Sequence, residues 1–246
     1  MGLEKKRILL TRPQEQNIEW SEKLKKLQAK PISFPLIEIK PIFHSPEINL
    51  ALQNLGTYQW IIFSSANATA CFHEILLING IRKLKMSIAA LGTKTAEFLH
   101  SKAYAINFVP AKFTSAKLAE TIPDIKGKRI LVPRTDIADD ALYLGLTARG
   151  AIVDEIVVYE TKKVTGKQKE LQDIVDRGVD VITFASPSAV EVYFEMGING
   201  HAAAFACIGP TTAKRLIELG KTADIVAETY TTEGITEAME IYFASK

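Results

Sequence analysis

The stretch 205–235 reads FACIGPTTAKRLIELGKTADIVAETYTTEGI, in which an order of strand, turn and helix occurs twice. An apolar run of strand length, 205–208, stops at Gly209, and a second run, 225–227, stops before another polar turn. The residues that open the two predicted helices are Thr211, Thr212, Lys214, Thr231 and Thr232. Helix starts carry unpaired N–H groups and a partial positive charge, so these turns are suited to anion binding.

This stretch has a counterpart earlier in the chain. Residues 91–122 align with residues 208–239, which pairs Gly92 with Gly209. KRILLTR near the start recurs as KRILVPR about 120 residues later, and the apolar run WIIF recurs as VITF at a similar spacing. Three ordered blocks at nearly one spacing predict a fold that is built twice. Short buried strands that alternate with amphipathic helices predict parallel α/β sheets, whose ligands bind beyond the carboxyl ends of the strands.

Hydroxyl-rich turns and strand-end arginines in both halves provide the candidate binding residues. In the first half these are Arg12, Ser64, Ser65, Asn67, Thr93, Thr95, Thr114 and Ser115. In the second half they are Arg134, Ser186, Ser188, Thr211, Thr212, Lys214, Thr231 and Thr232. Helix capping explains any one of these turns, because Ser, Thr and Asn are the preferred capping residues. Arg12 and Arg134 are explained equally well as surface charges at strand ends. The recurrence of the turns on one predicted edge favours binding, which capping does not prevent.

Several classes of site have no support in the sequence. There is no G-x-G-x-x-G after the first strand, no P-loop motif and no G-x-S-x-G, and the histidines have no metal-like spacing with each other or with the cysteines. We therefore expect neither a metal nor a cofactor. The net charge of +2 is dispersed, which argues against nucleic acid but is compatible with a small acidic ligand.

The pattern along the chain also bears on its location. The longest apolar runs are far shorter than the ~20 residues of a membrane span, and no signal-peptide pattern is found. Cys71 and Cys207 fall in a predicted helix and a predicted buried strand, which favours reduced thiols. We expect a cytoplasmic protein that does not contact the membrane.

Tyr159 is the remaining candidate for chemistry. It ends a predicted strand, IVDEIVVY, and begins an extended segment. Its phenol could face a cleft between two domains, or it could be an edge-strand aromatic residue with its hydroxyl in solvent. The spacing of the residues does not decide between these readings.

Nine motifs in order resemble one known family over nearly the whole chain. They are KRILLTRP, IIFSSANAT, IAALGTKTA, FTSAKLAE, KRILVPR, EIVVYET, ITFASPSAVE, CIGPTTAKRL and YTTEGITEAM. Together they resemble the uroporphyrinogen-III synthases. The resemblance implies two flavodoxin-like parallel-sheet α/β domains joined by a two-stranded β-ladder. It implies an outer domain of residues 1–37 and 164–246, an inner domain of residues 44–157, and connectors at 38–43 and 158–163.

The resemblance also implies a reaction in the cleft between the domains. The substrate would be hydroxymethylbilane, a linear tetrapyrrole octacarboxylate. It would be cyclised to uroporphyrinogen III with loss of water and inversion of the final pyrrole ring, as a step of heme biosynthesis. By resemblance Tyr159 helps the hydroxyl group to leave, and the serine and threonine turns contact the substrate. We expect a monomer, and the upstream enzyme that produces hydroxymethylbilane is a candidate partner.

The residues alone leave two other functional classes open. One is a non-catalytic two-domain protein that binds a small polyanion in the same turns. The other is a transferase with two α/β domains, which should need a nucleotide donor for which no motif occurs. Of the three readings, only that of a uroporphyrinogen-III synthase predicts conversion of hydroxymethylbilane to the type III isomer.

Overall fold

The computed structural model describes residues 2–198 and 202–245. The chain divides into two compact units. Unit 1 consists of Met1–Glu38 with Lys162–Lys246, and unit 2 consists of Ile39–Thr161. The domain limits that the family resemblance implies stay a prediction.

Short strands alternate with helices through the described parts of the chain. The strands are β1 (Arg7–Leu10), β2 (Lys30–Ser33), β3 (Ile37–Pro41), β4 (Trp60–Phe63), β5 (Ser87–Ala90), β6 (Arg129–Thr135), β7 (Ile152–Lys163), β8 (Val181–Phe184), β9 (Ala204–Cys207) and β10 (Ile225–Val226). The helices are α1 (Gln14–Lys26), α2 (Pro46–Gln53), α3 (Ala66–Ile78), α4 (Thr93–Ser101), α5 (Ser115–Thr121), α6 (Ala141–Ala148), α7 (Gln168–Asp176), α8 (Pro187–Glu195), α9 (Pro210–Glu218) and α10 (Thr232–Ala244). A short 3-10 helix, Leu55–Thr57, follows α2.

Unit 1 contains a five-stranded sheet in the order β10-β9-β8-β1-β2, and its neighbouring strands pair in parallel. The chain leaves β1 through α1 and returns beside it as β2. It leaves β8 through α8 and returns on the opposite side as β9. The carboxyl ends of β1 and β8 therefore flank the point where the winding direction reverses, which is where open α/β sheets bind ligands.

Unit 2 repeats this arrangement in a sheet of order β3-β7-β6-β4-β5. Strands β5, β4, β6 and β7 pair in parallel, and Phe108 adds a single parallel bridge to Ala89 of β5. The chain passes from β4 to β5 on one side and from β6 to β7 on the other. The carboxyl ends of β4 and β6 flank the corresponding reversal point. The predicted α/β fold with two parallel sheets is thus confirmed.

The strands form where they do because parallel sheets covered on both faces need strands that are apolar throughout. WIIF in β4 and VITF in β8 are buried at every position, and both strands have the predicted bounds. Each sheet separates two apolar clusters, one on each face. Two of the clusters lie in unit 1 and two in unit 2.

The sequence pattern predicts helices over residues 50–55 and 137–148. Both predicted starts were wrong, and the local structure explains the difference. The helix α2 begins at Pro46 rather than at residue 50, because the Ser45 hydroxyl accepts from the Ile48 N–H (3.1 Å). The helix α6 begins at Ala141 rather than at residue 137, because β6 continues to Thr135 and the turn follows. There the Asp139 carboxylate accepts from the Ala141 N–H (3.0 Å).

Candidate functional site

A cavity of about 350 Å³ lies within unit 2 at the carboxyl edge of its sheet. It collects residues from β6 and β7, from the turns that follow β4 and β6, and from the starts of α5 and α6. They are Ser64, Ser65, Ser115, Val132, Arg134, Thr135, Ile137, Ala138, Asp139, Leu142, Glu155 and Tyr159. Five of the residues predicted from the sequence, Ser64, Ser65, Ser115, Arg134 and Tyr159, are therefore brought together at the reversal point between β4 and β6.

The pairing of β7 with β6 shifts by one residue just before Tyr159. Arg134 pairs with Val157, but the next residue, Thr135, pairs with Tyr159. Strict alternation along β7 would place Tyr159 on the face of Glu155 and Val157, and Val157 is 36% exposed. After the shift Tyr159 is only 5% exposed. The strand β7 lies between β3 and β6, so Tyr159 is a buried residue of an inner strand and not of an edge strand.

Arg134 lines the same cavity, and carboxylates of the protein already surround it. Its guanidinium donates to Glu155 and to the carbonyl oxygen of Ala138, and it lies 3.4 Å from Asp140. The Arg134 side chain is 12% exposed and that of Glu155 is 22% exposed. This arrangement makes Arg134 a residue that holds β6, β7 and the following turn together, with much of its charge compensated.

The helix starts at the carboxyl edges follow the same capping pattern in both units. A hydroxyl side chain caps α3 and α5 in unit 2, and a hydroxyl side chain caps α8 and α10 in unit 1. The cap hydroxyls accept backbone N–H groups at 3.0 Å (Ser65), 3.2 Å (Thr114), 3.2 Å (Ser186) and 3.0 Å (Thr231). A hydroxyl that accepts from an N–H group can still donate its own hydrogen to a carboxylate. Capping therefore leaves these residues able to bind an anion.

Glycine replaces the hydroxyl cap at the remaining pair of equivalent helices. Gly92 precedes α4 and Gly209 precedes α9, and neither helix has a side-chain cap. The φ angle of Gly92 is +97°, in the region that favours glycine. A Cβ atom at Gly209 would lie 2.9 Å from the Tyr230 ring. The first N–H groups of these helices are left for an external acceptor.

The reversal point of unit 1 is fastened by two buried threonines. The Thr11 hydroxyl donates to the carbonyl oxygen of Thr183 (2.6 Å), and the Thr183 hydroxyl donates to the carbonyl oxygen of Leu9 (2.9 Å). These bonds join the carboxyl ends of β1 and β8. Ser186, which follows β8, lies with its hydroxyl oxygen 3.1 Å from that of Ser188.

Arg12 follows Thr11 at this edge and differs from its repeat counterpart Arg134. Its guanidinium donates to the side-chain oxygen of Gln16 (2.6 and 3.1 Å). In the described part of the chain we find no salt bridge to Arg12. Burial lowers the pKa of Arg12 from the usual arginine value, and the charge of Glu233 opposes this effect. Arg12 is therefore the better placed of the two arginines to pair with an anionic ligand.

The remaining predicted residues divide by exposure. Thr95 and Thr212 are buried on the packed side of their helices, and Thr232 is buried with its hydroxyl donating to Glu233 (3.1 Å). The exposed or partly exposed residues are Asn67, Thr93, Thr114, Thr211, Lys214 and Thr231. Lys214 lies 3.9 Å from Glu218 on the same helix. The buried threonines are therefore less accessible to a ligand than Thr93, Thr211 and Thr231 at the same helix starts.

The sequence analysis missed three residues beside Tyr159. Glu155 pairs with Arg134, and Asp136 and Thr161 contact the chain around the register shift. Acidic residues are common on surfaces, so their type alone gave no signal. The one available clue was the position of Asp136 directly after a strand that ends beside a predicted site residue.

Two kinds of feature are absent from the residues that the structure describes. In residues 2–198 and 202–245, no group of three or more His, Cys, Asp and Glu side chains could hold a metal ion. No helix in those same ranges combines the length and the apolar character needed to cross a membrane.

The chain matches known proteins along most of its length. Residues 18–237 match the family model described as uroporphyrinogen-III synthase HemD. A uroporphyrinogen-III synthase of Synechococcus elongatus is 27% identical over 96% of this chain and 94% of the relative. A porphyrin biosynthesis protein HemD of Ruminiclostridium josui is 29% identical over 85% of this chain, which covers 43% of that longer relative.

Solved structures share the fold. A mutant uroporphyrinogen III synthase of Thermus thermophilus superposes with a TM-score of 0.67 at 19% identity, covering 98% of this chain and 100% of the other. A uroporphyrinogen-III synthetase of Helicobacter pylori gives 0.64 at 18% identity with the same coverage. At these identities the solved structures show the common architecture alone. Family membership rests on the match to the family model, which extends over residues 18–237. The chain belongs to the uroporphyrinogen-III synthase family.

Proposed function

We propose that this chain cyclises hydroxymethylbilane to uroporphyrinogen III, with Tyr159 as the residue that assists departure of the hydroxyl group. Family membership makes the chain an enzyme of tetrapyrrole biosynthesis, and it does not favour the non-catalytic polyanion-binding alternative. The single observation that supports the role of Tyr159 is its position: it lines the cavity at the reversal point of unit 2 together with Ser64 and Ser65.

The capped helix starts suit a substrate that carries many carboxylates. Ser65 accepts one backbone N–H group and keeps a hydroxyl hydrogen to donate, and the hydroxyl pair of Ser186 and Ser188 has one hydrogen left over after its mutual bond. The uncapped starts at Gly92 and Gly209 add backbone N–H groups. Separate weak donors of this kind suit an extended polyanion better than one dense basic patch does, because each carboxylate finds its own partner. Arg12 adds one positive charge at the edge of unit 1.

The chemistry requires little from the protein beyond geometry and one proton donor. The electron-rich pyrroles of the substrate expel the hydroxyl group, which leaves as water when a neutral phenol donates a proton to it. The ring carbon that attacks next must be held near the cationic carbon, which is a matter of positioning. The proton that the attacked ring finally releases can restore the phenol. In this scheme Tyr159 gives and recovers one proton per turnover.

We also propose a monomeric, cytoplasmic enzyme. Cys71 and Cys207 are both buried free thiols, as expected in a reducing compartment. Burial raises the pKa of Cys71 to about 11 and that of Cys207 to about 12, so both thiols stay protonated. The upstream enzyme that produces hydroxymethylbilane is the partner we propose for direct transfer of the substrate.

Separation of the products tests the proposed reaction. Purified protein mixed with enzymatically generated hydroxymethylbilane should give uroporphyrinogen III, because only a bound and folded substrate inverts the final ring. A parallel sample without protein provides the control, since the substrate closes spontaneously to the type I isomer. Exclusive formation of the type I isomer in both samples would contradict the proposed function.

A further inference from the structure

The register shift beside Tyr159 is held by Asp136, a residue that does not line the cavity. Asp136 directly follows β6. Its backbone N–H donates to the carbonyl oxygen of Tyr159 (3.4 Å), and its carboxylate oxygen Oδ1 accepts from the N–H of Thr161 (3.1 Å). Asp136 therefore contacts the backbone of β7 at two points, the carbonyl group of Tyr159 and the N–H group of Thr161.

Two hydroxyl groups complete this contact. The Thr135 Oγ1 donates to Oδ1 of Asp136 (2.8 Å), and it lies 3.3 Å from Oγ1 of Thr161. The pairing of β6 with β7 ends at Thr135 and Tyr159. The side chains of Thr135, Asp136 and Thr161 thus continue the contact between the strands beyond the last backbone pair.

The shift matters because it decides where the Tyr159 side chain lies. A one-residue change of register exchanges the two faces of a strand, and strand bulges near active sites re-aim side chains. Val158 is the residue left without a partner on β6, and its carbonyl oxygen instead accepts from the Ile42 N–H (2.9 Å). A shift that is not held in place beyond Tyr159 could relax toward the regular register, which would move this side chain away from Ile156 and Val158, with which it packs in the core.

We propose that Asp136 is a positioning residue for Tyr159. By accepting the Thr161 N–H with its carboxylate while its own N–H binds the Tyr159 carbonyl, Asp136 holds the shifted register and so fixes the position of the Tyr159 side chain on the cavity wall. This inference rests on the role proposed above for Tyr159. Asp136 itself does not touch the reacting atoms.

A double-mutant cycle on turnover tests the proposal. We expect Asp136→Ala to lower kcat about 10-fold with KM changed less than about twofold. The reason is that a displaced catalytic group slows the chemical step more than it weakens substrate binding. In the Tyr159→Phe background the same substitution should have almost no further effect, since no proton donor remains to be placed. Asp136→Asn keeps an oxygen that accepts the Thr161 N–H, so it should retain most of the activity.

Asp154→Ala provides the matched control. Asp154 lies on the same strand near its other end, where its carboxylate accepts from Tyr58 (2.8 Å) and Arg129 (2.6 Å). Its replacement removes a carboxylate contact from β7 without touching the register shift. Turnover per folded molecule should therefore be unchanged.

The outcomes distinguish this inference from the proposed function. Full activity of Asp136→Ala, or an equal loss in both backgrounds, would overturn the positioning role. Unchanged turnover of Tyr159→Phe would remove Tyr159 from the mechanism, and the role of Asp136 with it. A wild-type protein that yields only the type I isomer would instead contradict the proposed function.

Discussion

Replacement of Tyr159 by phenylalanine is expected to slow turnover by about 10- to 100-fold, at or below the lower end of what a positioned proton donor contributes. The effect should be moderate because the pyrroles of the substrate themselves drive out the hydroxyl group. Binding of uroporphyrinogen III should change little, because the phenyl ring fills the same place on the cavity wall. Single-turnover rates and product titrations of the two proteins measure these two effects separately.

Tyr104→Phe is the matched control for this prediction. Tyr104 also belongs to unit 2, and its hydroxyl oxygen lies 2.9 Å from Nδ1 of His73, away from the cavity. The control removes a phenol hydroxyl and one hydrogen bond without changing the site. Equal turnover of Tyr159→Phe and Tyr104→Phe would show that the Tyr159 hydroxyl has no part in the reaction.

Replacement of Arg134 by methionine is expected to lower the free energy of unfolding by about 3 kcal/mol, near the lower limit for breaking a buried ion pair. The reason is the carboxylate left behind, since Glu155 is 22% exposed and would lose the guanidinium that compensates it. Urea unfolding measures the change. Combining Arg134→Met with Glu155→Gln should recover part of the loss, because the uncompensated charge is then absent.

Arg129→Met is the control for the ion pair. Arg129 lies on the same strand and pairs with Asp154 on β7 (2.6 Å), but these side chains are 38% and 37% exposed. A pair exposed to water contributes less than about 1 kcal/mol, so this variant should be nearly as stable as the wild type. Similar decreases in the free energy of unfolding for both arginine variants would show that burial does not determine how much the Arg134–Glu155 ion pair stabilises the protein.

The strands could be predicted from sequence because each parallel strand is a short apolar run bounded by polar turns. The bounds of β4 and β8 agree with the prediction to the residue, and the internal repeat placed equivalent turns in both halves. The burial of Thr95 and Thr212 was also predictable. Each precedes a fully buried leucine, Leu99 or Leu216, by four residues and so shares its helix face.

The surroundings of Tyr159 and Arg134 could not be predicted in the same way. The segment IVDEIVVYET does not mark a register shift, because the shift depends on how β7 pairs with β6. The partner of Arg134, Glu155, lies 21 residues away in sequence and meets it only through that pairing. Sequence patterns identify which side chains reach a sheet edge, whereas the register decides which of them meet.

The central claim is that the turns at the carboxyl edges of both sheets bind the tetrapyrrole. Titration of isotope-labelled protein with uroporphyrinogen III, followed through backbone amide NMR shifts, tests it directly. We expect the largest shifts at residues 65–68 and 92–95 in unit 2 and at residues 186–189 and 209–213 in unit 1. Shifts confined to the opposite edge, around Gln59 and Arg129, would contradict the account.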